Sequence, residues 1–487
     1  MIIQDSDLFR QQCYIDGKWK TSAQSFDVVD PSTQQLVGHV PALDEEEILA
    51  AIASADDAFP RWKSLTAKER SNLLRRWHNL ILDHQSDLAA IMSREQGKPL
   101  EEAMREVASC ASYVEWYAEE AKRVYGDTIP MSQKGKRIIV LKEPVGVCAA
   151  ITPWNFPLST ITRKAAPAIA CGCTVLVKPS SYTPFSALAL AALAEKAGLP
   201  PGVFNVITGE AERIGRVLSH SRLVRKISFT GSTEVGKALM RECGDSLKKL
   251  SLELGGHAPF IVFADADLDL AVEEAMTSKF RNSGQTCVCA NRFLVQEPIY
   301  DAFATRLVDE VNRRFVLGPG SCAGCNMGPL IDDKAIVKVE RQIEDAVAKG
   351  ARIATGGRRR GGPGFFFEPT VLLDVTSEML IAHEETFGPV APLFRFRYED
   401  EALQIANSSD YGLAAYFFTK NLTRAWKFTE NLEYGMVGVN TGILSSEAAP
   451  FGGRKDSGIG REGSKYGMDE YLEIKYMCLG GLDWSVC

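Results

Sequence analysis

The chain has 487 residues, of which 45% are hydrophobic and 24% charged, enough for two or three soluble globular domains. Its 55 basic residues stand against 62 acidic ones, a net charge of −7, which excludes the basic footprint of a nucleic-acid-binding protein. No window reaches the roughly 18 apolar residues of a membrane span, and the acidic start Met1-Ile2-Ile3-Gln4-Asp5-Ser6-Asp7 has no secretory or transit pattern, so the expected compartment is the cytoplasm.

Residues 45–123 are rich in Glu, Ala and Leu and poor in Gly, which predicts helices. Residues 137–150 read as β. Strand and helix then alternate. Thr174 to Lys178 is an apolar strand, Phe185 to Lys196 a helix stopped by Gly198, Val203 to Ile207 a strand, and Arg213 to Ser219 helical. Lys226 to Phe229 is a further strand, after which Ser232-Thr233-Glu234 opens a helix. Continuous apolar strands, each followed by a helix, imply a parallel sheet covered on both faces. A second set begins after Glu253, with a strand from Pro259 to Phe263, a helix from Asp265 to Phe280 and a strand from Arg292 to Val295. The fold class is therefore α/β, with two α/β domains meeting near Glu253. Tyr471 to Cys478 is a β segment that can pair with residues 121–141 as an arm.

Three short segments carry the chemistry. Cys287 follows the small, polar turn Asn282-Ser283-Gly284-Gln285-Thr286. Glu253 ends the apolar strand Leu250-Ser251-Leu252, just before Gly255-Gly256. Asn155 stands in Thr152-Pro153-Trp154-Asn155-Phe156-Pro157. A thiol, a carboxylate and an amide, each beside a bend, suit acyl transfer through a thioester. Each has a plainer reading: Cys287 as a buried core thiol, Asn155 as a turn residue, Glu253 as an acceptor for the Gly255 and Gly256 amides.

Together these segments resemble the aldehyde dehydrogenase superfamily, from about residue 14 to the C-terminus. The resemblance implies Cys287 as nucleophile, Glu253 as general base for thioester hydrolysis, and Asn155 with the Cys287 backbone N–H as oxyanion donors. It implies a Rossmann-type NAD(P)-binding domain (residues 1–120 and 142–252), an α/β catalytic domain (253–466) and a small β oligomerisation arm (121–141 and 467–487). Such an arm gives a homodimer or homotetramer by edge pairing.

No GxGxxG is present. Gly231 and Ser232, in Phe229-Thr230-Gly231-Ser232, form a turn and cap whose helix N–H groups suit a pyrophosphate, although such caps are common. The resemblance places Trp154 at the cofactor, Phe387 beside the nicotinamide, Glu385 on its ribose, and Lys178 on the adenosine ribose. Without it, Lys178 is as readily a solvated lysine, and Glu384-Glu385 an acidic turn before Gly388-Pro389. Many NAD-specific relatives carry a glutamate where Ser181 stands here. Serine removes the charge that repels a 2′-phosphate, so NADP as well as NAD is expected.

Arg281 and Arg163 lead toward the reactive segments and suit a carboxylate at the far end of a substrate, although helix arginines are usually solvated. Lys279 to Arg292, Pro157 to Lys164 and Ser445-Ser446-Glu447 resemble succinate-semialdehyde dehydrogenases. In that subfamily the positions of Arg163, Arg281 and Ser445 hold the carboxylate. Ser446 and Tyr182 depart from its frequent asparagine and glutamine. The expectation is oxidation of succinate semialdehyde to succinate. Glutarate semialdehyde, another ω-oxo acid or a broader range of aldehydes is the alternative, because one methylene discriminates by only about 1–3 kcal/mol.

The twelve cysteines are scattered, most in apolar contexts. Cys322-Ala323-Gly324-Cys325 is a lone CxxC without a second ligand pair, so no metal is expected. Cys287 and Cys289 form a CxC pair. A small strained disulfide there would block the nucleophile, and relatives with the pair are thought to use such a switch. Arg358-Arg359-Arg360, between glycine pairs, reads as a solvated hairpin tip.

Overall fold

A computed structural model describes residues 3–482. Five strands run parallel in the order Phe204–Val206, Thr174–Lys178, Val147–Ile151, Val224–Thr230 and Lys249–Glu253. The chain builds outward from Val147–Ile151 in one direction and then resumes on its other side with Val224–Thr230. The carboxyl ends on either side of that reversal form the crevice where open α/β sheets take ligands. Lys18–Lys20 and Cys13–Ile15 close one edge antiparallel.

The predicted helical segment forms Glu45–Ser64, Ala67–Asp83, Gln85–Gln96 and Leu100–Glu120. Capping boxes start the first two, pairing Asp44 with Glu47 and Thr66 with Glu69. The last three pack against Ser159–Cys171 and Pro184–Ala197, while Glu45–Ser64 packs on the sheet strands and helix Ala211–His220. Buried Trp62 and Trp77 donate to the Ile169 and Leu190 carbonyls at 3.1 and 3.2 Å, so their ring nitrogens are satisfied within the core.

The second sheet has seven strands in the order Arg352–Thr355, Thr370–Leu373, Val390–Phe396, Ala290–Gln296, Ala258–Val262, Ala414–Phe418 and Met436–Val439. All but the first pair in parallel. Phe260, Phe293 and Phe418 form a ring cluster on one face. Each fully buried side chain of this size contributes about 1.5–3 kcal/mol.

Leu472–Leu479 pairs antiparallel with Arg137–Pro144, which pairs with Thr128–Ile129. Ile474 and Tyr476 are 74% and 68% exposed on this ribbon. Arg137–Pro144 runs past the 141/142 boundary drawn from the sequence. Gly458–Ile459, within the 253–466 segment, pairs with Lys249–Glu253 of the first sheet. Residues 483–487 of the arm lie outside the described residues. Among the described residues no helix is long and apolar enough to cross a membrane.

Two surface features add to the sequence reading. Cys322 and Cys325 are joined as a disulfide. The basic tip is an exposed hairpin, as read from the sequence, and its arginines also pair on the surface, Arg358 with Glu368 at 3.0 Å and Arg359 with Asp333 at 3.0 Å.

Candidate active site

A cavity of about 880 Å³ opens from the crevice toward the second sheet. Its wall brings together Asn155, Glu253 and Cys287, with Trp154, Gly231 and Ser232 from the carboxyl ends of the first sheet and Glu385 and Phe387 from the loop before strand Val390–Phe396 of the second. Arg163, Arg281 and Ser445 line it as well. Lys178, Ser181 and Cys289 are not part of this wall.

Cys287 owes its place to a turn that sequence rules disfavour. Helix Leu268–Phe280 ends at Arg281–Gly284, where Asn282 and Ser283 are left-handed at φ 50° and 56° and Gly284 follows at 75°. Left-handed backbone costs a non-glycine residue about 1–2 kcal/mol, so the surroundings must hold it. Gln285 does much of this: its amide donates to the Asn282 and Pro329 carbonyls, and its Oε1 accepts from Ile331 N at 2.9 Å. Ser283 donates to the Gly328 carbonyl at 2.8 Å. Gly284 admits no side chain, because a Cβ would fall 2.2 Å from the Gly388 carbonyl oxygen. Burial pushes the Cys287 thiol up to about 12, Glu385 adding to the shift and Arg163 opposing it.

Asn155 lies beyond the end of strand Val147–Ile151. Its Nδ2 donates to the Gln285 carbonyl at 3.0 Å, which orients the amide and leaves one N–H uncommitted. The segment is thereby tied directly to the cysteine loop.

Glu253 ends strand Lys249–Glu253, and both its carboxylate oxygens are buried without a hydrogen-bond partner. The Gly256 amide donates instead to Glu385 Oε1 at 3.0 Å. The backbone-acceptor reading of Glu253 therefore does not hold here. Burial, reinforced by Glu462, raises its carboxyl well above the usual carboxylate range against the opposing pull of Lys164, Arg461 and Arg163. Burial likewise pushes Glu385 up to about 7.

On the first-sheet side, Ser232 caps helix Thr233–Cys243 by accepting from Val235 N. Trp154 and Phe387 meet edge to face at 5.6 Å, and Phe387 holds φ 53°, a strained value for a bulky residue. The Thr386 hydroxyl is buried and unpartnered. Lys178 ends strand Thr174–Lys178 outside this wall, and burial lowers its ammonium to about 8. A helix N-terminus, aromatic walls, an unpartnered hydroxyl and a buried cation together fit a nicotinamide dinucleotide. The departure Tyr182 donates to Asp332 at 2.8 Å, joining the end of the first sheet to the cap of helix Asp333–Ala348.

The two arginines are not ordinary surface residues. Arg163 lies between the rings of Tyr113 and Phe451, 4.8 and 4.6 Å from their centroids. Arg281 lies 5.7 Å from the Phe156 ring. The Nε atoms of both are buried without a partner. Cys289 faces the other way: its sulfur contacts the Lys279 carbonyl at 3.2 Å, and it is a free thiol.

Sequence reasoning missed Lys98, Glu102, Glu106 and Glu462, which also line the cavity. A signal for Glu106 was available. It interrupts the apolar stripe Ala103, Val107, Cys110 and Val114 on one helix face, where a charge needs a buried partner.

Comparison with known proteins agrees with this geometry. Residues 19–477 match the aldehyde dehydrogenase family. The chain is 57% identical to a glutarate-semialdehyde dehydrogenase of Pseudomonas aeruginosa, over 99% of this chain and 100% of that protein. It is equally 57% identical to the NADP(+) succinate-semialdehyde dehydrogenase GabD of Escherichia coli, over 99% and 100% of the two chains. The crystal structure of succinate-semialdehyde dehydrogenase from Burkholderia pseudomallei superposes with a TM-score of 0.97 at 54% identity, over 99% and 100%. The chain belongs to the aldehyde dehydrogenase family and is an NAD(P)-dependent oxidoreductase.

Proposed function

We propose that this aldehyde dehydrogenase oxidises an ω-oxo acid, with succinate semialdehyde first and glutarate semialdehyde as the nearest rival. The observation that carries the reading is one cavity holding a thiol, an unpartnered carboxylate and two guanidinium groups with unpartnered Nε atoms. The substrate carboxylate is held by Arg163, Arg281 and Ser445. This directs the aldehyde carbon toward Cys287.

Cys287 Sγ bonds to the aldehyde carbon and gives up its proton to a base. Burial keeps this thiol protonated at rest, so proton removal is part of the step. The oxyanion that forms accepts from the free Asn155 Nδ2–H and from the Cys287 backbone N–H. Gly231 and Ser232 seat the pyrophosphate, Trp154 and Phe387 flank the nicotinamide, Glu385 takes the nicotinamide ribose, and Lys178 and Ser181 take the adenosine end. NAD or NADP, when bound, supplies the hydride acceptor. The Cys287 thioester is then hydrolysed. Glu253 removes a proton from water, the water oxygen bonds to the acyl carbon, and Sγ departs to leave the free acid.

Glu253 separates this reading from a CoA-acylating enzyme, because it supplies a base for water. Cys289 would join Cys287 in a reversible disulfide only after turning away from Lys279, so a redox switch requires the loop to rearrange. The exposed ribbon Leu472–Leu479 is the edge by which a homodimer or homotetramer would form.

Steady-state rates on succinate semialdehyde, glutarate semialdehyde and uncharged butanal, each with NAD and NADP, test the assignment. A strong preference for the acids supports the carboxylate clamp, and the faster acid fixes chain length. Equal rates on butanal would leave only a general aldehyde dehydrogenase.

A further inference from the structure

Helix Gln85–Gln96 ends in a corner, Gly97-Lys98-Pro99, before helix Leu100–Glu120 begins. This corner meets both halves of the reactive centre. Lys98 Nζ donates to the Asn155 carbonyl at 2.9 Å, and Asn282 Nδ2 donates to the same oxygen at 3.0 Å. Lys98 also pairs with one oxygen of Glu106, both side chains being almost completely buried. The other Glu106 oxygen accepts from Leu158 N at 3.0 Å and Ser159 N at 3.2 Å, where helix Ser159–Cys171 starts. One ion pair thus grips the chain at Asn155 and again three and four residues later.

We infer that the Lys98–Glu106 pair, together with Asn282, is a positioning device that fixes the Asn155 amide for the oxyanion formed on attack by Cys287. The inference rests on the oxyanion role proposed for Asn155. A buried ion pair is a poor source of stability, since apolar replacements of similar volume are often neutral or stabilising. Its value lies in geometry. Lys98 and Asn282 saturate the Asn155 carbonyl, and Gln285 takes one side-chain N–H, so the peptide and the amide are both fixed relative to Cys287. Oxyanion donors act only when preorganised at the site of developing charge. Phe156, whose ring lies 4.2 Å from Lys98 Nζ, helps exclude water from the pair.

The test is a double-mutant cycle between Lys98→Met and Asn155→Ala, read as the single-turnover burst of reduced cofactor. Lys98→Met is expected to slow the burst about tenfold to a hundredfold, short of losing a whole donor, with substrate KM and cofactor Kd within about threefold of wild type. The double variant is expected to be no slower than Asn155→Ala. Multiplicative losses, or a Lys98→Met burst equal to wild type, would overturn the positioning role. If Asn155→Ala alone leaves the burst unchanged, the oxyanion reading fails first and this inference with it. Should Lys98→Met not fold, Asn282→Gly serves, because glycine keeps the left-handed backbone while removing the second donor. The same non-additive pattern is then required.

Discussion

Glu385 Oε1 accepts a hydrogen bond from the Gly256 amide at 3.0 Å. That contact takes the glycine donor that Glu253 could otherwise have used and leaves both Glu253 oxygens unpartnered at the cavity wall. Both oxygens are therefore open to a substrate water, toward which the group is a base in its ionised form.

Glu253→Gln is therefore expected to keep a burst of about one reduced cofactor per site while steady turnover falls. Loss of general-base help typically costs on the order of 100- to 10,000-fold. Rapid-mixing absorbance at the reduced nicotinamide band separates the phases. Equal loss of both would remove Glu253 from the hydrolytic step.

The same group makes stability depend on pH. Its folded carboxyl lies well above the ordinary 4.5, so the folded protein retains a proton that the unfolded chain releases. Its contribution is intact below pH 4.5 and is lost as pH rises through the folded value. Glutamine cannot ionise. The Tm of Glu253→Gln should gain on wild type by about 1–4 °C as pH rises from 4.5. A constant difference across that range would contradict the burial argument.

Arg281→Ala removes a charge-assisted contact worth about 1.5–3 kcal/mol, so kcat/KM for the semialdehyde acids should fall roughly ten- to a hundredfold. Butanal should be oxidised as before. A parallel loss on butanal would mean that Arg281 supports the loop rather than the substrate.

Ser181→Glu places a carboxylate at the expected adenosine end. Its repulsion of a 2′-phosphate is on the order of 1–4 kcal/mol, so kcat/KM with NADP should drop about tenfold or more while NAD is spared. Unchanged NADP kinetics would move the 2′-phosphate away from Ser181.

Gly256→Ala would set a Cβ 2.2 Å from the Cys287 carbonyl oxygen. The Cys287 loop must move, and a misplacement of about 1 Å at a reacting group commonly costs on the order of a hundredfold in rate. A normal circular dichroism spectrum with a much slower burst is the expected result. A wild-type burst would show that the loop can yield without harm.

Most of the fold was legible because its signals are local. Apolar runs ending at glycine and proline gave the order of strands and helices, and the capping residue Ser232 sits at a helix start, whereas the helix read from Asp265 begins at Leu268. That Cys287, Glu253 and Asn155 belong together was legible because each stands in a distinctive short segment, and all three line one cavity. Lys98, Glu102 and Glu106 were not, since a charge on a helix reads as solvated until its partner is known. The disulfide between Cys322 and Cys325 was not read either, because spacing alone leaves a lone CxxC undecided.

The sequence by itself determined the alternation that makes two parallel sheets, the family kit and a net charge of −7. Only the tertiary structure decided which oxygens were left unpartnered, that Glu385 rather than Glu253 takes the Gly256 amide, that Arg163 and Arg281 face the cavity, and that Cys289 faces away from it. Those outcomes depend on contacts between segments more than a hundred residues apart, or on a left-handed turn at Asn282 and Ser283 that local preference disfavours. Short-range propensity carries no term for either, whereas packing and buried hydrogen bonds do.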